Sequence, residues 1–494
     1  MTNQLFKTKS ISQLLAQVKD DEHGLKRTLT TATLIALGIG AIIGAGLFVR
    51  TAAAAANNAG PAVTIGFIIA GIGCVFAGLC YAEFASMIPV AGSAYTYSYA
   101  TMGELVAWII GWDLVLEYAF GAATVSIAWS EYFNKLLEYI NLKIPFEWCH
   151  SPFDVIKDVS GNVISHGIIN IPALFIIFLL SLLLIRGTRE SSLVNALIVI
   201  TKVVIIILFI IFGWSFIDPA NHTPFIPAPT VYEDAQGVPH NFGGILGILG
   251  AAGVVFFAFI GFDAISTAAQ ETKNPKKAMP VAILGSLAIC TVLYILFSYV
   301  LTGVASTNDF RTAGKEASVT YAIQTYMTGY GWLAKLVTVA ILAGFSSVIL
   351  VMLYGQSRVF YSMSKDGLVP KIFSDIHPKF RTPYKSNWVF FIFVGAFAAF
   401  VPGDIVGDMT SIGTLFAFML VSAGVWVMRK TNPDIPRQFK TPLVPLVPIL
   451  GIITCGAMIY GLGWANWIRL LIWMLIGFVI YFTYSIRKSK LRQK

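Results

Sequence analysis

The chain has 494 residues, of which 56% are hydrophobic and only 12% are charged, and its mean hydropathy is +0.75. Soluble domains carry about 25% charged residues, so this composition excludes a soluble globular protein and predicts an integral membrane protein. The formal net charge of +9 is typical of basic residues that flank apolar spans and set membrane topology. We therefore expect no nucleic-acid partner.

The first 30 residues are polar and form a predicted cytoplasmic segment, residues 1–30. They lack the apolar stretch of a cleavable signal peptide. Within them, "SISQLLAQV" (residues 10–18) predicts a short helix that lies on the membrane surface.

Stretches of about 20 apolar residues, enough to cross a bilayer, predict twelve transmembrane helices and an all-α fold. We number these spans 1 to 12; their predicted limits are 31–55, 61–88, 103–138, 168–186, 190–216, 242–270, 278–304, 331–361, 387–402, 405–428, 446–464 and 466–486. Most basic residues between the spans fall on one side if the N-terminus is inside. This bias predicts a multi-pass protein of the cell membrane with both termini, including the basic tail 487–494, in the cytoplasm.

The spans fall into three groups: 31–216 with spans 1–5, 242–428 with spans 6–10, and 446–486 with spans 11 and 12. Spans 1 and 6 each begin a group of five, and both are interrupted by glycines. Such interruptions at corresponding positions are typical of inverted repeats in transporters. Hydropathy and position support this repeat, since the two halves show no strong sequence identity.

Span 1 contains "GIGAIIGAGLFV" (residues 38–49), with four glycines in nine positions. Each glycine costs a helix interior about 1 kcal/mol relative to alanine. One interpretation is close helix packing, because Gly40-x-x-x-Gly44 is a small-xxx-small pattern. The other is a broken helix beside a cavity, since irregular backbone survives in a membrane only where lipid does not reach it.

Span 6 carries a second interruption, with Gly250, Gly253 and Gly261 followed by Asp263 inside the apolar run. A charged side chain at that depth is costly and usually functional. The free N–H groups of a broken helix attract a carboxylate, and the free C=O groups attract an ammonium group. Two breaks that face each other can therefore hold both ends of an amino acid, so the pair of breaks favours the binding site of a transporter.

Several motifs in order identify a family resemblance: "GIGAIIGAGLF", "AGPAVTIGFIIAG", "YAEFASMIPVAGSAYTYSY", "GELVAWIIGWDLVLEY", "GFDAISTAAQETKNPKKAMP" and "SRVFYSMSKDGLVP". The chain resembles the amino acid–polyamine–organocation superfamily over essentially all spans, and within it the cationic amino acid transporters and their bacterial relatives. The resemblance implies a LeuT-type fold, in which two inverted five-helix repeats are followed by spans 11 and 12.

The resemblance also implies a substrate site. Gly44-Ala45-Gly46 matches the family's Gly-small-Gly stretch, in which two N–H groups receive the substrate carboxylate, while carbonyls of spans 1 and 6 receive its α-amine. Phe257 matches an aromatic gate, although ordinary packing remains an alternative in a chain with 36 phenylalanines. The N–H groups are those of Ala45 and Gly46, and the carbonyls are those of Ile42, Phe257 and Ile260. The full predicted substrate site consists of Ile42, Ile43, Gly44, Ala45, Gly46, Glu117, Phe257, Ala258, Ile260 and Met352.

Lys202 lies near the middle of span 5, roughly 16 to 18 Å from either end at 1.5 Å per residue, which is too far for easy snorkelling. Burial disfavours the charged form of an amine, so Lys202 can load and release a proton. In proton-coupled members of the family, the matching lysine contacts span 1 near the position of Gly40; sodium-coupled relatives of the fold bind sodium there. We expect proton coupling through Lys202 and Gly40; the alternative is a static charge against a helix-end carbonyl.

Two carboxylates, Asp113 and Glu117, lie four residues apart on one face of span 3. Two buried carboxylates are costly unless they are paired or hydrated. Glu117 is the better candidate to line the substrate cavity, and a structural ion pair is the alternative. Asp263 is a candidate gate residue, and Glu83 is read as structural.

Met352 on span 8 aligns with a small residue of the animal cationic transporters. Its bulk would shorten the pocket for the substrate side chain, which favours small neutral amino acids such as alanine over arginine and lysine. Both neutral and cationic substrates stay open at this point.

These features favour a secondary transporter for L-amino acids, with the amino acid, a proton and the lipid bilayer as partners. Proton symport, exchange and facilitated diffusion stay open, as does a small accessory membrane protein. Long soluble signalling domains would favour a non-transporting sensor of the same fold, and the sequence shows none. An enzyme is not expected, because all six histidines lie outside the spans and no Walker or zinc motif occurs. We expect no cofactor and no metal.

Overall fold

The computed structural model describes residues 5–10, 29–88, 93–157, 163–187, 192–233, 239–266, 272–312 and 318–493. The surface helix expected over residues 10–18 falls on residues outside these ranges, apart from Ser10. The described chain is mostly helical, and its helices follow the apolar runs of the sequence.

Among the described residues, eight helices are long and apolar enough to cross a membrane. They are Gly46–Met87, Glu104–Glu138, Leu197–Phe216, Gly244–Ser266, Pro275–Val304, Gly331–Lys365, Gly403–Thr431 and Trp464–Lys488. Four apolar helices are shorter: Thr31–Ile42, Ile171–Arg186, Tyr384–Phe400 and Leu446–Gly461. Every predicted span coincides with one of these helices or with part of one.

Several of the long helices are not α-helical throughout. In the first of them, π-helical turns at Gly46–Arg50 and Ala55–Ala59 precede the α-helix Val63–Met87. Span 3 contains a π-helical turn at Leu116–Phe120, between α-helices Glu104–Val115 and Gly121–Glu138. Such π-turns occur often at functional sites.

The loops contain structure that the sequence analysis did not predict. Two antiparallel hairpins lie between spans 3 and 4 and between spans 5 and 6; their strands are β1 Val155–Lys157 with β2 Val163–His166, and β3 Thr230–Glu233 with β4 Pro239–Phe242. Short helices occupy Ser93–Thr101, Thr307–Thr312 and Ser318–Tyr326.

Local sequence explains where key helices begin. At the start of span 1, Thr30 and Thr33 form a capping box, in which the side chain of each receives the backbone N–H of the other. At the start of span 4, the Asn170 side chain accepts the N–H of Ala173, and proline occupies the first turn. These caps satisfy N–H groups that a helix start leaves free.

Among the described residues, several spans pack against the span that comes five places later in the chain. Span 2 lies along span 7, span 3 along span 8, and span 4 along span 9, while the interrupted centres of spans 1 and 6 contact each other. The interior that results is dense with aromatic side chains such as Phe67, Tyr81, Trp108 and Tyr294, all buried.

The outer surface of the bundle is apolar. Large side chains such as Ile200, Val281, Ile392 and Leu475 are more than half exposed. Soluble proteins rarely expose apolar surface on this scale, so the bundle requires a lipid environment.

Candidate functional site

The interruption in span 1 lies at Ile43 and Gly44. The α-helix that begins at Thr31 ends at Ile42, and Ile43 adopts an extended conformation with ψ of 105°. Gly46 then opens the π-helical turn. The break therefore overlaps the start of the Gly44-Ala45-Gly46 stretch.

The interruption in span 6 lies between Val255 and Gly261. An α-helix ends at Val255, a 3-10 turn covers Phe256–Phe259, and Ile260 is extended with ψ of 137°. Gly261 follows with φ of +111°, a conformation that side-chain-bearing residues rarely adopt. Glycine also lets the backbone approach span 1, because a Cβ here would lie 2.9 Å from the carbonyl oxygen of Ala41.

The two interruptions meet at Gly46 and Ala258. A Cβ on Gly46 would lie 2.2 Å from Cα of Ala258, so only glycine permits this approach. The N–H groups of Ala45 and Gly46 open the outer helical half of span 1, where the first N–H groups lack intrahelical partners and the dipole is positive.

Tyr294 of span 7 links the two interruptions, and the sequence analysis missed it. Its hydroxyl lies 2.9 Å from the carbonyl oxygen of Ala258 and 3.2 Å from that of Ile42, in donor geometry to both. Span 7 contains two tyrosines, Tyr294 and Tyr299, and nothing in the sequence distinguishes Tyr294 from the other. The Phe257 carbonyl accepts the N–H of Ile260 at 3.3 Å. A carbonyl oxygen has two lone pairs, so those of Ile42 and Phe257 keep capacity for a further donor.

Lys202 reaches span 1 at its interruption. Its side chain is buried, and Nζ donates to the carbonyls of Gly40 and Ile43 at 2.9 Å each. Gly344 of span 8 makes room for it, since a Cβ there would lie 2.5 Å from Cε of Lys202. Ile43, predicted for the substrate site, thus directs its carbonyl to Lys202 instead.

Three of the buried carboxyl groups on spans 3 and 6 are those of Asp113, Glu117 and Asp263. The Tyr118 hydroxyl donates to Asp263 at 2.5 Å, which ties span 6 to span 3 beyond the interruption. Asp263 also lies close enough to Glu117 for the two carboxyl groups to interact. Within the described ranges, the oxygens of Asp113 have no hydrogen-bond partner, and neither Asp113 nor Glu117 pairs with a basic residue. The alternative of a structural ion pair for Glu117 is therefore not supported there.

Met352 of span 8 packs against span 3 at a point that is also close to span 10. Its Sδ lies 2.9 Å from where a Cβ of Gly121 would be, and the Thr410 methyl group lies 3.5 Å from the same point. One turn away on span 8, Val348 approaches Gly44 to 3.3 Å by the same measure. This face of span 8 therefore runs from the break in span 1 to the middle of span 3. Phe257 is buried in the 3-10 turn beside Ala258.

Residues 29–483 match a family model described as amino acid permease. The chain belongs to this family. It is 44% identical over 493 residues to the branched-chain amino acid permease BcaP of Bacillus subtilis (strain 168), with 100% of both chains covered. It is 40% identical over 490 residues to a methylthioribose transporter of the same organism, covering 99% of each. It is 38% identical over 446 residues to cationic amino acid transporter 9, chloroplastic, of Arabidopsis thaliana, covering 89% of this chain and 73% of that protein. The permease is therefore a multi-pass membrane protein, and the family resemblance noted in its motifs is confirmed.

Proposed function

We propose that the permease is a secondary active transporter that imports a neutral L-amino acid together with a proton. The observation that carries the proposal is the contact of Gly46 with Ala258, which brings the interrupted centres of spans 1 and 6 together. Broken helices that meet at mid-membrane are the usual way in which transporters build a substrate site.

In this proposal the N–H groups of Ala45 and Gly46 hold the substrate carboxylate. The carbonyls of Ile42, Phe257 and Ile260 hold the α-ammonium group. The Tyr294 hydroxyl already donates toward Ile42, so an arriving ammonium group competes with it. Phe257 closes the site on one side, and the contact of Asp263 with Tyr118 closes it on the other.

Proton coupling would act through Lys202. The protonated amine makes charge-assisted hydrogen bonds to Gly40 and Ile43, which are about twice as strong as neutral ones. Loss of the proton weakens both bonds and frees the hinge of span 1. Proton release is thereby linked to movement of the helix that holds the substrate carboxylate. The ammonium group also fills the region where sodium-coupled relatives of the fold bind their ion.

We further propose twelve spans in a LeuT-type arrangement with cytoplasmic termini. The pairing of spans that are five apart supports the repeat. The two termini lie on the same face, because the Lys7 side chain donates to the carbonyl of Leu491 at 2.8 Å. This contact supports an even number of crossings. The excess of basic residues on that face favours the cytoplasmic side.

Substrate size would be set by Met352. Its packing against Gly121 leaves less room for a long side chain, which favours neutral amino acids over arginine and lysine. The name of the BcaP relative adds branched-chain amino acids as candidates. Methylthioribose, named for another relative, has neither carboxylate nor ammonium group, so it would not use both helix breaks.

The test is uptake into proteoliposomes with and without an inward proton gradient. Labelled alanine and leucine serve as substrates, and arginine and methylthioribose serve as competitors. We expect uptake that follows the gradient and is inhibited by neutral amino acids. Uptake that depends only on amino acid inside the vesicles would indicate an exchanger, and gradient-independent equilibration a facilitator. Binding without uptake would indicate a sensor, and inhibition by methylthioribose alone would contradict the amino acid assignment.

A further inference from the structure

The C-terminal residues of the permease are docked on a buried carboxylate at the start of span 3. Glu104 is fully buried, and its oxygens accept hydrogen bonds from the hydroxyls of Tyr99 and Tyr481 at 3.0 and 3.1 Å. Arg492 adds an ion pair through Nε at 2.7 Å, and the buried Ser489 hydroxyl donates to the same carboxylate. We call residues 486–493 the terminal tail. This carboxylate therefore holds the tail against the start of span 3.

The tail also contacts the turn that follows span 8. The Lys490 N–H donates to the carbonyl of Asp366 at 3.0 Å. A Cβ on Gly367 would lie 2.3 Å from the carbonyl oxygen of Lys488, so the tail backbone lies directly on this turn. The Ser485 hydroxyl, just before the tail, donates to Leu368 at 2.6 Å.

The N-terminal residues 5–10 join this assembly. Lys7 donates through its side chain to Leu491 of the tail, and its carbonyl accepts the N–H of Glu104 at 3.2 Å. Lys9 pairs with Asp366 at 2.7 Å. Phe6 lies close to Gly103, because a Cβ on Gly103 would lie 2.5 Å from the backbone of Phe6. The tail thus provides part of the surface on which the N-terminal segment is held.

That segment leads into the interrupted spans. After it, Leu29 pairs with Thr272 beyond span 6, and its carbonyl accepts the N–H of Lys273 at 3.0 Å. The inner ends of spans 1 and 6 are therefore joined to each other, while residues 5–10 are joined to span 3, the span 8 turn and the tail. Alternating access moves one such group of helices against the other, and residues 5–10 are docked on the second group.

The docked segments lie outside residues 29–483, the part of the chain that the family model matches. The tail is also strongly basic: Arg487, Lys488, Lys490, Arg492 and Lys494 are five of the last eight residues. Lys488 and Lys490 are exposed. Basic clusters directly beside a transmembrane helix are attracted to anionic lipid headgroups. Such headgroups are therefore a second binding partner that the tail can reach.

We propose that the terminal tail is an autoinhibitory latch, bound to Glu104 in a slow state and to an anionic lipid surface in a fast state. The slow state holds residues 5–10 and the tail on the start of span 3 and on the turn after span 8. Release of the tail frees that segment and lets the inner side open. This proposal rests on the transport function proposed above.

The first experiment uses two variants with the same loss of charge. Arg492→Gln removes the ion pair with Glu104, whereas Lys490→Gln removes an exposed charge and leaves the backbone contact with Asp366. In vesicles of phosphatidylcholine alone, we expect Arg492→Gln to speed hydrogen exchange of the tail amides and to raise the uptake rate at least about fivefold, the low end of typical coupling between sites. Lys490→Gln should match the wild type in both measurements.

Lipid composition provides the second measurement. With phosphatidylglycerol added in equal amount, wild-type uptake and tail exchange should both rise, whereas Arg492→Gln should be fast in either lipid. Ser489→Asp, which places a second carboxylate against Glu104, should release the tail by repulsion and reproduce Arg492→Gln. This variant keeps the test decisive should Arg492→Gln be poorly folded. Deletion of residues 1–10 in the Arg492→Gln variant should not raise the uptake rate further, because both changes would act on the same docked assembly.

Two results would overturn the latch. Faster tail exchange in Arg492→Gln with wild-type uptake would show that the tail is only an anchor, and unchanged exchange would show that Arg492 does not hold it. Failure of the transport proposal is separate, because it appears as absence of amino acid uptake by the wild type. In that event, tail exchange in the two lipids, which needs no substrate, still decides whether anionic lipid releases the tail.

Discussion

Lys202 of span 5 and Gly40 of span 1 are joined by a hydrogen bond of 2.9 Å from the buried amine to the backbone carbonyl. The carbonyl is free to accept this bond because span 1 stops being α-helical after Ile42. The same amine reaches Ile43 across the break. A single protonatable group therefore bridges the last turn of one half-helix and the hinge that follows it.

Replacement of Lys202 by alanine should abolish the dependence of uptake on the proton gradient. Without the amine, the carbonyls of Gly40 and Ile43 no longer respond to protonation. Lys202→Arg should also fail to couple, because guanidinium stays charged. Proteoliposome uptake across a pH gradient measures both, with the exposed Lys335→Ala as control. A Lys202→Ala variant whose uptake still follows the gradient would refute proton coupling at this residue.

Gly46→Ala should abolish transport and destabilise the protein by about 1 to 3 kcal/mol, the range for overpacked interiors. The new methyl group would overlap the backbone of Ala258, which cannot move aside as a side chain can. Gly331→Ala is a suitable control, because nothing lies within 4 Å of a Cβ at that position. Thermal unfolding in detergent and alanine uptake report the two effects. Normal uptake by Gly46→Ala would exclude a close approach of the two breaks during transport.

The sequence predicted the helices well, because apolar length is a local property. Span 2 was expected at 61–88 and its α-helix covers Val63–Met87. The exact position of the breaks was less accessible, since it depends on where the two backbones meet. Gly261 was noted as a glycine, but its close approach to Ala41 is a contact between distant parts of the chain.

Residues that act through long-range contacts were missed for the same reason. Tyr294 contacts carbonyls on two other spans, and Glu104 is surrounded by residues nearly 400 positions later in the chain. Tyr294 lies outside the motifs quoted above, and the motif that contains Glu104 does not reveal its distant partners. Lys202 was found because a charge inside an apolar span is conspicuous without any knowledge of its partners.

Met352→Ser should extend the range of substrates toward longer or cationic side chains. The smaller side chain vacates the space beside Gly121 and opens the route from Gly44 toward Glu117. Competition of arginine against labelled leucine measures the change, and we expect arginine to gain about tenfold in apparent affinity, equivalent to 1.4 kcal/mol. Met363→Ser, which alters a methionine packed on Gly111 nearer the end of the same helix, should leave the profile unchanged. An identical profile in Met352→Ser would place Met352 outside the pocket.

Loss of the charge on Asp408 should destabilise the protein strongly. Arg50 is 3% exposed at its side chain and pairs with both Asp404 and Asp408 of span 10. Removal of one partner of a buried ion pair typically lowers the free energy of unfolding by about 3 to 5 kcal/mol. The loss should be smaller here, because Asp404 still pairs with Arg50. The exposed pair of Lys385 with Asp375 is the control, and Asp375→Asn should not change the melting temperature measurably. Equal melting temperatures for Asp408→Asn and the wild type would show that Asp404 alone satisfies Arg50.

Stability should fall as the pH drops from 7 to 5, in part because of His222. Burial against the end of span 7, next to Thr302 and the ring of Tyr299, lowers the pKa of this imidazole below 6.5. The unfolded chain therefore binds a proton at a higher pH than the folded chain does, and stability is lost between the unfolded and the folded pKa. His222→Gln keeps a donor for Thr302 but cannot titrate, so its melting temperature should decline less over this range. The control is His166→Gln, at an exposed histidine of strand β2, whose melting temperature should decline as much as that of the wild type. If the melting temperature of His222→Gln also declines as much, other groups account for the acid sensitivity.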